Sequence, residues 1–90
     1  MRLVYAVPIL LALMTSAQCQ QTAEDWYNQG NVLTNQSKYD EAIKAFDEAI
    51  RLNPNDANAW FGKGIALQGL GNTTEADAAI AKAQELGFTG

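Results

Sequence analysis

The stretch from Ala23 to Asp56 is written a second time, less strictly, from Ala57 to Gly90, at an offset of about 34 residues. The offset pairs Trp26 with Trp60, Gly30 with Gly64, Leu33 with Leu67, Ala42 with Ala76, Ala45 with Ala79, Ala49 with Ala83 and Leu52 with Leu86. One matched Trp would mean little, but Trp, Gly and a ladder of Ala returning together at one spacing mark a tandem repeat. A unit this short buries no core alone, so each copy gains its interior by stacking on the other.

The spacing within the repeat is helical. Trp26, Gly30 and Leu33 fall on one face at steps of four and three. Gly30 costs a helix about 1 kcal/mol relative to Ala, so its use is steric, letting a partner helix come close. The periodicity stops near Gln36, where Ser37 followed three residues later by Asp40 predicts a capping arrangement for the next helix. That helix, Tyr39 to Leu52, would bury Ala42, Ile43, Phe46, Ala49 and Ile50 and expose Asp40, Glu41, Lys44, Asp47, Glu48 and Arg51. Asp40 with Lys44, Lys44 with Glu48 and Asp47 with Arg51 then stand one turn apart, each pair worth about 0.2–0.5 kcal/mol. Pro54 ends the helix, and Asn55 or Asp56 caps the next. Ala57 to about Leu70 repeats the first helix and closes on Gly71 as a left-handed cap. About Thr74 to Leu86 forms an alanine-rich fourth helix, with Gly87 and Phe88 as its cap and an apolar residue folding back. The expectation is an all-α fold of four short helices in two antiparallel hairpins.

The first copy, A-E-D-W-Y-N-Q-G-N-V-L-T-N-Q-S-K-Y-D-E-A-I-K-A-F-D-E-A-I-R-L-N-P-N-D, resembles the tetratricopeptide repeat, whose signature runs W-x2-L-G-x2-Y, then A-x3-F, then Pro. Trp26, Gly30, Tyr39, Ala42, Phe46, Ala49 and Pro54 stand at the family's positions, while Gln29 and Leu33 replace its Leu and Tyr. The second copy keeps Trp60, Gly64, Ala76 and Ala83 and carries Lys63, Leu67, Ile80 and Phe88 in place of Leu, Tyr, Phe and Pro. The resemblance implies a short right-handed α-solenoid and a protein-protein interaction module, in which the first helix of each hairpin lines a concave groove that receives a peptide. Aligned on that pattern, the groove positions are Glu24, Tyr27, Asn31, Thr34 and Asn35 in the first repeat, and Asn58, Phe61, Ile65, Gln68 and Gly69 in the second. Tyr27, Asn31, Asn35, Asn58, Phe61 and Ile65 are the candidate peptide-binding residues. The competing reading is that Tyr27 and Phe61 only shield the hairpin junctions. Some family members clamp a partner's terminal carboxylates with groove Lys, Asn or Arg. Here Tyr27 replaces the first Lys and Gly62 the second repeat's Asn, so the resemblance disfavours such tails.

Ninety residues, 48% hydrophobic and 18% charged, make one small globular unit. Much of the apolar share lies in L-V-Y-A-V-P-I-L-L-A-L-M behind Met1 and Arg2, followed by Thr15, Ser16 and Ala17. A positive tip, a short apolar run and small residues describe an export signal; a span needs about 20 apolar residues. Residues 1–19 are therefore expected to be a signal peptide or membrane anchor, 20–22 a connector, 23–56 the first repeat and 57–90 the second. Three fates of the leader stay open: cleavage after Ala17, retention as an anchor, or lipidation of Cys19, against which Gln18 occupies the place of a small residue. The expected location is extracytoplasmic, secreted or membrane-anchored through that segment alone.

The chain carries 6 Lys and Arg against 10 Asp and Glu, a net charge of −4. It has no basic stripe to neutralise phosphates, which argues against a nucleic acid partner. A single Cys allows no internal disulfide. Asn35-Gln36-Ser37 and Asn72-Thr73-Thr74 are glycosylation sequons, although seven Asn in a polar chain produce such triplets by accident as well.

Catalysis is not expected. There is no His, the Cys closes the leader, and outside the leader the only Ser is Ser37, so no nucleophile can be paired with a base. No metal-ligand cluster and no phosphate-binding glycine loop is present in the sequence, and no cofactor is implied. Two functional classes follow: an exported adaptor for a peptide segment of another protein, or a structural subunit that forms homo-oligomers or stacks on a larger repeat protein. Asp77 and Gln84 stand where the first repeat has Ile43 and Ile50, so the second repeat is expected to face water and end the array. Two repeats are fewer than the usual three, and about 70 residues rarely store more than about 3–5 kcal/mol. A marginal monomer or an associated form is the consequence.

Overall fold

The computed structural model describes residues 21–88. The leader and Cys19, with the fates considered for them, lie outside the described residues. Four helices follow one another: α1 Ala23–Asn35, α2 Tyr39–Leu52, α3 Ala57–Gly69 and α4 Thr73–Glu85. Each packs on its neighbour in sequence, and α1 also touches α3. The architecture is all-α, two helical hairpins stacked as a short solenoid, as the repeat predicts.

The helix starts are set by side chains that satisfy otherwise unpaired amides. At α1 the Thr22 hydroxyl accepts from the Asp25 N–H at 3.1 Å while the Asp25 carboxylate accepts from the Thr22 N–H at 3.2 Å, a reciprocal box worth about 1 kcal/mol. Of this T-x-x-D box only Thr22 lies in the expected connector 20–22, and Asp25 belongs to the first repeat. At α3 the Asp56 carboxylate accepts from the Asn58 N–H at 3.0 Å. The box expected from Ser37 and Asp40 does not form: the residue before α2 is Lys38, without a side-chain cap. Ser37 instead sits at φ 63° and closes α1.

α2 is the seam. Ala42, Ala45, Phe46 and Ala49 are its buried residues, and Phe46 is the only large side chain fully enclosed among the described residues. Its ring lies between two glycines of different hairpins: a Cβ placed on Gly30 would come within 2.6 Å of it, and one on Gly62 within 2.5 Å. Gly30 therefore admits the ring that joins the repeats rather than a bare helix backbone. In the second hairpin Ile80 takes the place of Phe46 against Gly64, where an added Cβ would meet it at 2.6 Å.

Ile43 and Ile50, expected inside, are only half-buried, and Ala45 takes the inner position. The expected pairing of Asp47 with Arg51 is replaced by two others. Arg51 bonds Glu48 at 3.0 Å, and Asp47 reaches across the repeats to Lys63 at 2.8 Å. That cross-repeat pair is half-screened by water and worth about 0.2–1 kcal/mol. The Trp60 indole donates to the Pro54 carbonyl at 2.9 Å, tying the inter-repeat turn to α3.

Candidate functional site

α1 and α3 lie side by side with their amide and aromatic side chains on a common surface. Tyr27, Asn31 and Asn35 repeat at steps of four along α1, and Asn58, Phe61 and Ile65 follow at three and four along α3, the spacing that lines up one helix face. All six expected residues border one open cavity of about 370 Å³, together with Thr34, Phe46, Gly62 and Phe88. Of the remaining aligned positions, Gly69 packs beneath the Tyr39 ring, Gln68 is exposed, and Glu24 borders a neighbouring concavity.

The aromatic walls are built differently. Tyr27 stands 6.0 Å from Phe46, tilted by 56°, and belongs to the core cluster as well as to the groove. The shielding role considered for it is thus a part of what it does. Phe61 stacks on Phe88 at 4.3 Å and 19°, a geometry worth about 0.5–1.5 kcal/mol beyond area burial. Phe88 is held there by backbone: Gly87 turns at φ 104°, and the Phe88 N–H donates to the Ala83 carbonyl at 2.9 Å. Sequence reading saw the fold-back but not its target. The signal available was Phe standing where the first repeat has Pro54.

The polar members are amides. Asn31, Asn35 and Asn58 each offer a donor and an acceptor, the pair of functions an extended peptide backbone requires. Thr34 donates its hydroxyl to the Gly30 carbonyl at 2.8 Å, so its proton is already used. No Asp, Glu, Lys or Arg borders this cavity, and no set of groups able to hold a metal occurs among the described residues. Ile65 is 36% exposed, apolar surface left wet at the groove floor. Asn35 and Asn72, the sequon residues, are both exposed, and Asn35 is also a groove residue.

Comparison with known proteins agrees with the helical repeat. The tetratricopeptide repeat family matches residues 23–56, and a second description of the same repeat matches residues 45–78. The chain belongs to the tetratricopeptide repeat family. Its relatives include an uncharacterized protein of Methanocaldococcus jannaschii, 41% identical over 54 residues, which are 60% of this chain and 63% of that one. The Hsp70-Hsp90 organizing protein of Triticum aestivum is 40% identical over 53 residues, 59% of this chain but 9% of its own length. Hsp70-Hsp90 organizing protein 3 of Arabidopsis thaliana is 38% identical over 53 residues, 10% of its length. The match thus spans less than two thirds of each relative. The second tetratricopeptide frame begins inside α2 and runs into α4, so it joins the two hairpins across the Phe46 seam.

Proposed function

We propose that this protein is an exported, non-catalytic adaptor whose tetratricopeptide groove receives an extended, uncharged stretch of a partner protein. The observation that carries the reading is the single cavity shared by Tyr27, Asn31 and Asn35 of one hairpin with Asn58, Phe61 and Ile65 of the next. Aromatic and aliphatic walls take a side chain, and the asparagines pair with main-chain amides. The relatives named Hsp70-Hsp90 organizing proteins support a protein as the partner class. The absence of any cation in the lining speaks against a partner held by terminal carboxylates. Export rests on the leader, with its single Arg, apolar run and small residues. The layout of leader, connector and two repeats belongs to the same proposal.

The test is panning of random phage-displayed dodecapeptides on the full chain and on Ile65→Lys. Ile65 is partly exposed, so the new Lys charges the groove without opening the core. Peptides retained by the native protein and lost on the variant, with unchanged circular dichroism, are expected. Peptides that bind both proteins equally would put the site elsewhere. N-terminal sequencing of the secreted or membrane fraction checks export, and an unprocessed cytoplasmic chain would refute it.

A further inference from the structure

Beside the neutral groove, at the start of α1, lies a second concavity of about 440 Å³. Tyr27 and Asn58 border both, and Glu24, Asn28, Asn53 and Asp56 are added on the second side. The two spaces are neighbours across Tyr27 and Asn58 and are unlike in character. One carries no charge. The other carries two carboxylates and no Lys or Arg, and it lies in a chain of net charge −4.

Resting on the peptide-groove reading, we infer that the partner is a basic-apolar segment: one bulky uncharged side chain seated against Tyr27 and Phe61, and a Lys or Arg a few residues away facing Glu24 and Asp56. Charge complementarity selects this occupant. A ligand carboxylate in the second space would meet like charge with no cation to offset it, which disfavours acidic partners. Asp56 already gives one oxygen to the Asn58 N–H at 3.0 Å, which fixes its position, and Glu24 is exposed in the first turn of α1. Asn58, which borders both spaces, pairs with the intervening main chain. Because both acids are at the rim, their contribution is selectivity and encounter rate, and it is screened by salt.

The experiment uses the full chain and fluorescein-labelled dodecapeptides on a Ser-Ala-Gly scaffold, with Phe and Lys separated by one to four residues. Matched peptides replace Lys with Glu, or Phe with Ala. Anisotropy is expected to show one preferred spacing, loss of binding without Phe, and weakening on the order of tenfold when Lys becomes Glu. The Lys preference is expected to collapse near 1 M salt, where the screening length is about 3 Å, and to be abolished in Glu24→Lys, where the new Lys offsets Asp56. Glu24→Gln gives an intermediate, should the charge-reversal variant fold poorly. Equal binding of Lys and Glu peptides, or a preference untouched in both Glu24 variants, overturns the inference. The groove reading survives that result if panned peptides are still lost on Ile65→Lys. Failure of the whole series, with panned peptides rich in Asp and Glu, also overturns it.

Discussion

Ser37 shows how one residue can be conformationally expensive and still be used. α1, α3 and α4 end alike, with a carbonyl of the last turn accepting from the amide five residues on: Leu33 from Lys38 at 2.8 Å, Leu67 from Asn72 at 3.0 Å, Ala83 from Phe88 at 2.9 Å. The residue before each of these amides has positive φ, and it is Gly71 and Gly87 in two cases but Ser37 in the first. A side chain in that region costs about 1–2 kcal/mol, which Gly avoids at some cost in unfolded-chain entropy. Ser37→Gly is therefore expected to stabilise the fold by about 0.5–1 kcal/mol, read as a raised urea midpoint; an unchanged or lower midpoint would contradict the cap. The repeat offset pairs Ser37 with Gly71, so this turn was legible in the sequence. A competing capping reading of Ser37 with Asp40 concealed it.

Gly62 carries the opposite lesson at the same scale. Helix propensity alone favours Gly62→Ala by about 1 kcal/mol. The added methyl would stand 2.5 Å from the Phe46 ring, which is fully enclosed and has nowhere to turn. Overpacking costs about 1–3 kcal/mol, so the substitution is expected to destabilise on balance. Denaturant titration decides between the two signs. In the sequence Gly62 stands out only as the residue in place of a clamping Asn, because the ring it admits comes from the other repeat.

Among the elements, α4 differs most from its counterpart α2. Its buried residues are Ala76, Ala79 and Ala83, small side chains that let it lie close on α3, the helix it packs against. Asp77 and Gln84 are exposed where Ile43 and Ile50 of α2 are half-buried, and Ile43 packs against both core clusters. The polarity of that stripe keeps this side of α4 wet. Asp77→Leu combined with Gln84→Leu should expose an apolar stripe and drive association. Sedimentation velocity across concentration reads the outcome, and a protein that stays as small as the native chain would show the stripe to be neutral. The helix pattern and its boundaries were legible to within a residue or so. The inward turn of Ala45 and the outward lean of Ile43 and Ile50 were not, since these depend on the crossing of α2 over α1 and α3.

At the scale of the whole molecule, the two hairpins share one ring. Phe46 fills space provided by Gly30 of the first and Gly62 of the second, and Lys63 with Asp47 bridges them outside. A nearest-neighbour array held this way loses its two units together when the interface term dominates the stability of each repeat. Trp26 reports on one hairpin and Trp60 on the other, so in each single-Trp protein, Trp60→Phe or Trp26→Phe, the fluorescence midpoint in urea is expected to coincide with that protein's own circular dichroism midpoint. Midpoints that part would mean that the repeats melt independently.

The order of helices and their all-α packing follow from the sequence, because a repeated 3.6-residue periodicity dictates both the elements and the faces they present; the six residues that border one groove came from the resemblance to the repeat family's pattern. The tertiary structure alone decided that Phe88 stacks on Phe61, that Asp47 leaves its own helix for Lys63, and that a cavity bordered by Glu24 and Asp56 lies beside the neutral groove. Each of these joins residues from different helices, and such distances depend on how the helices cross rather than on the spacing along any one of them.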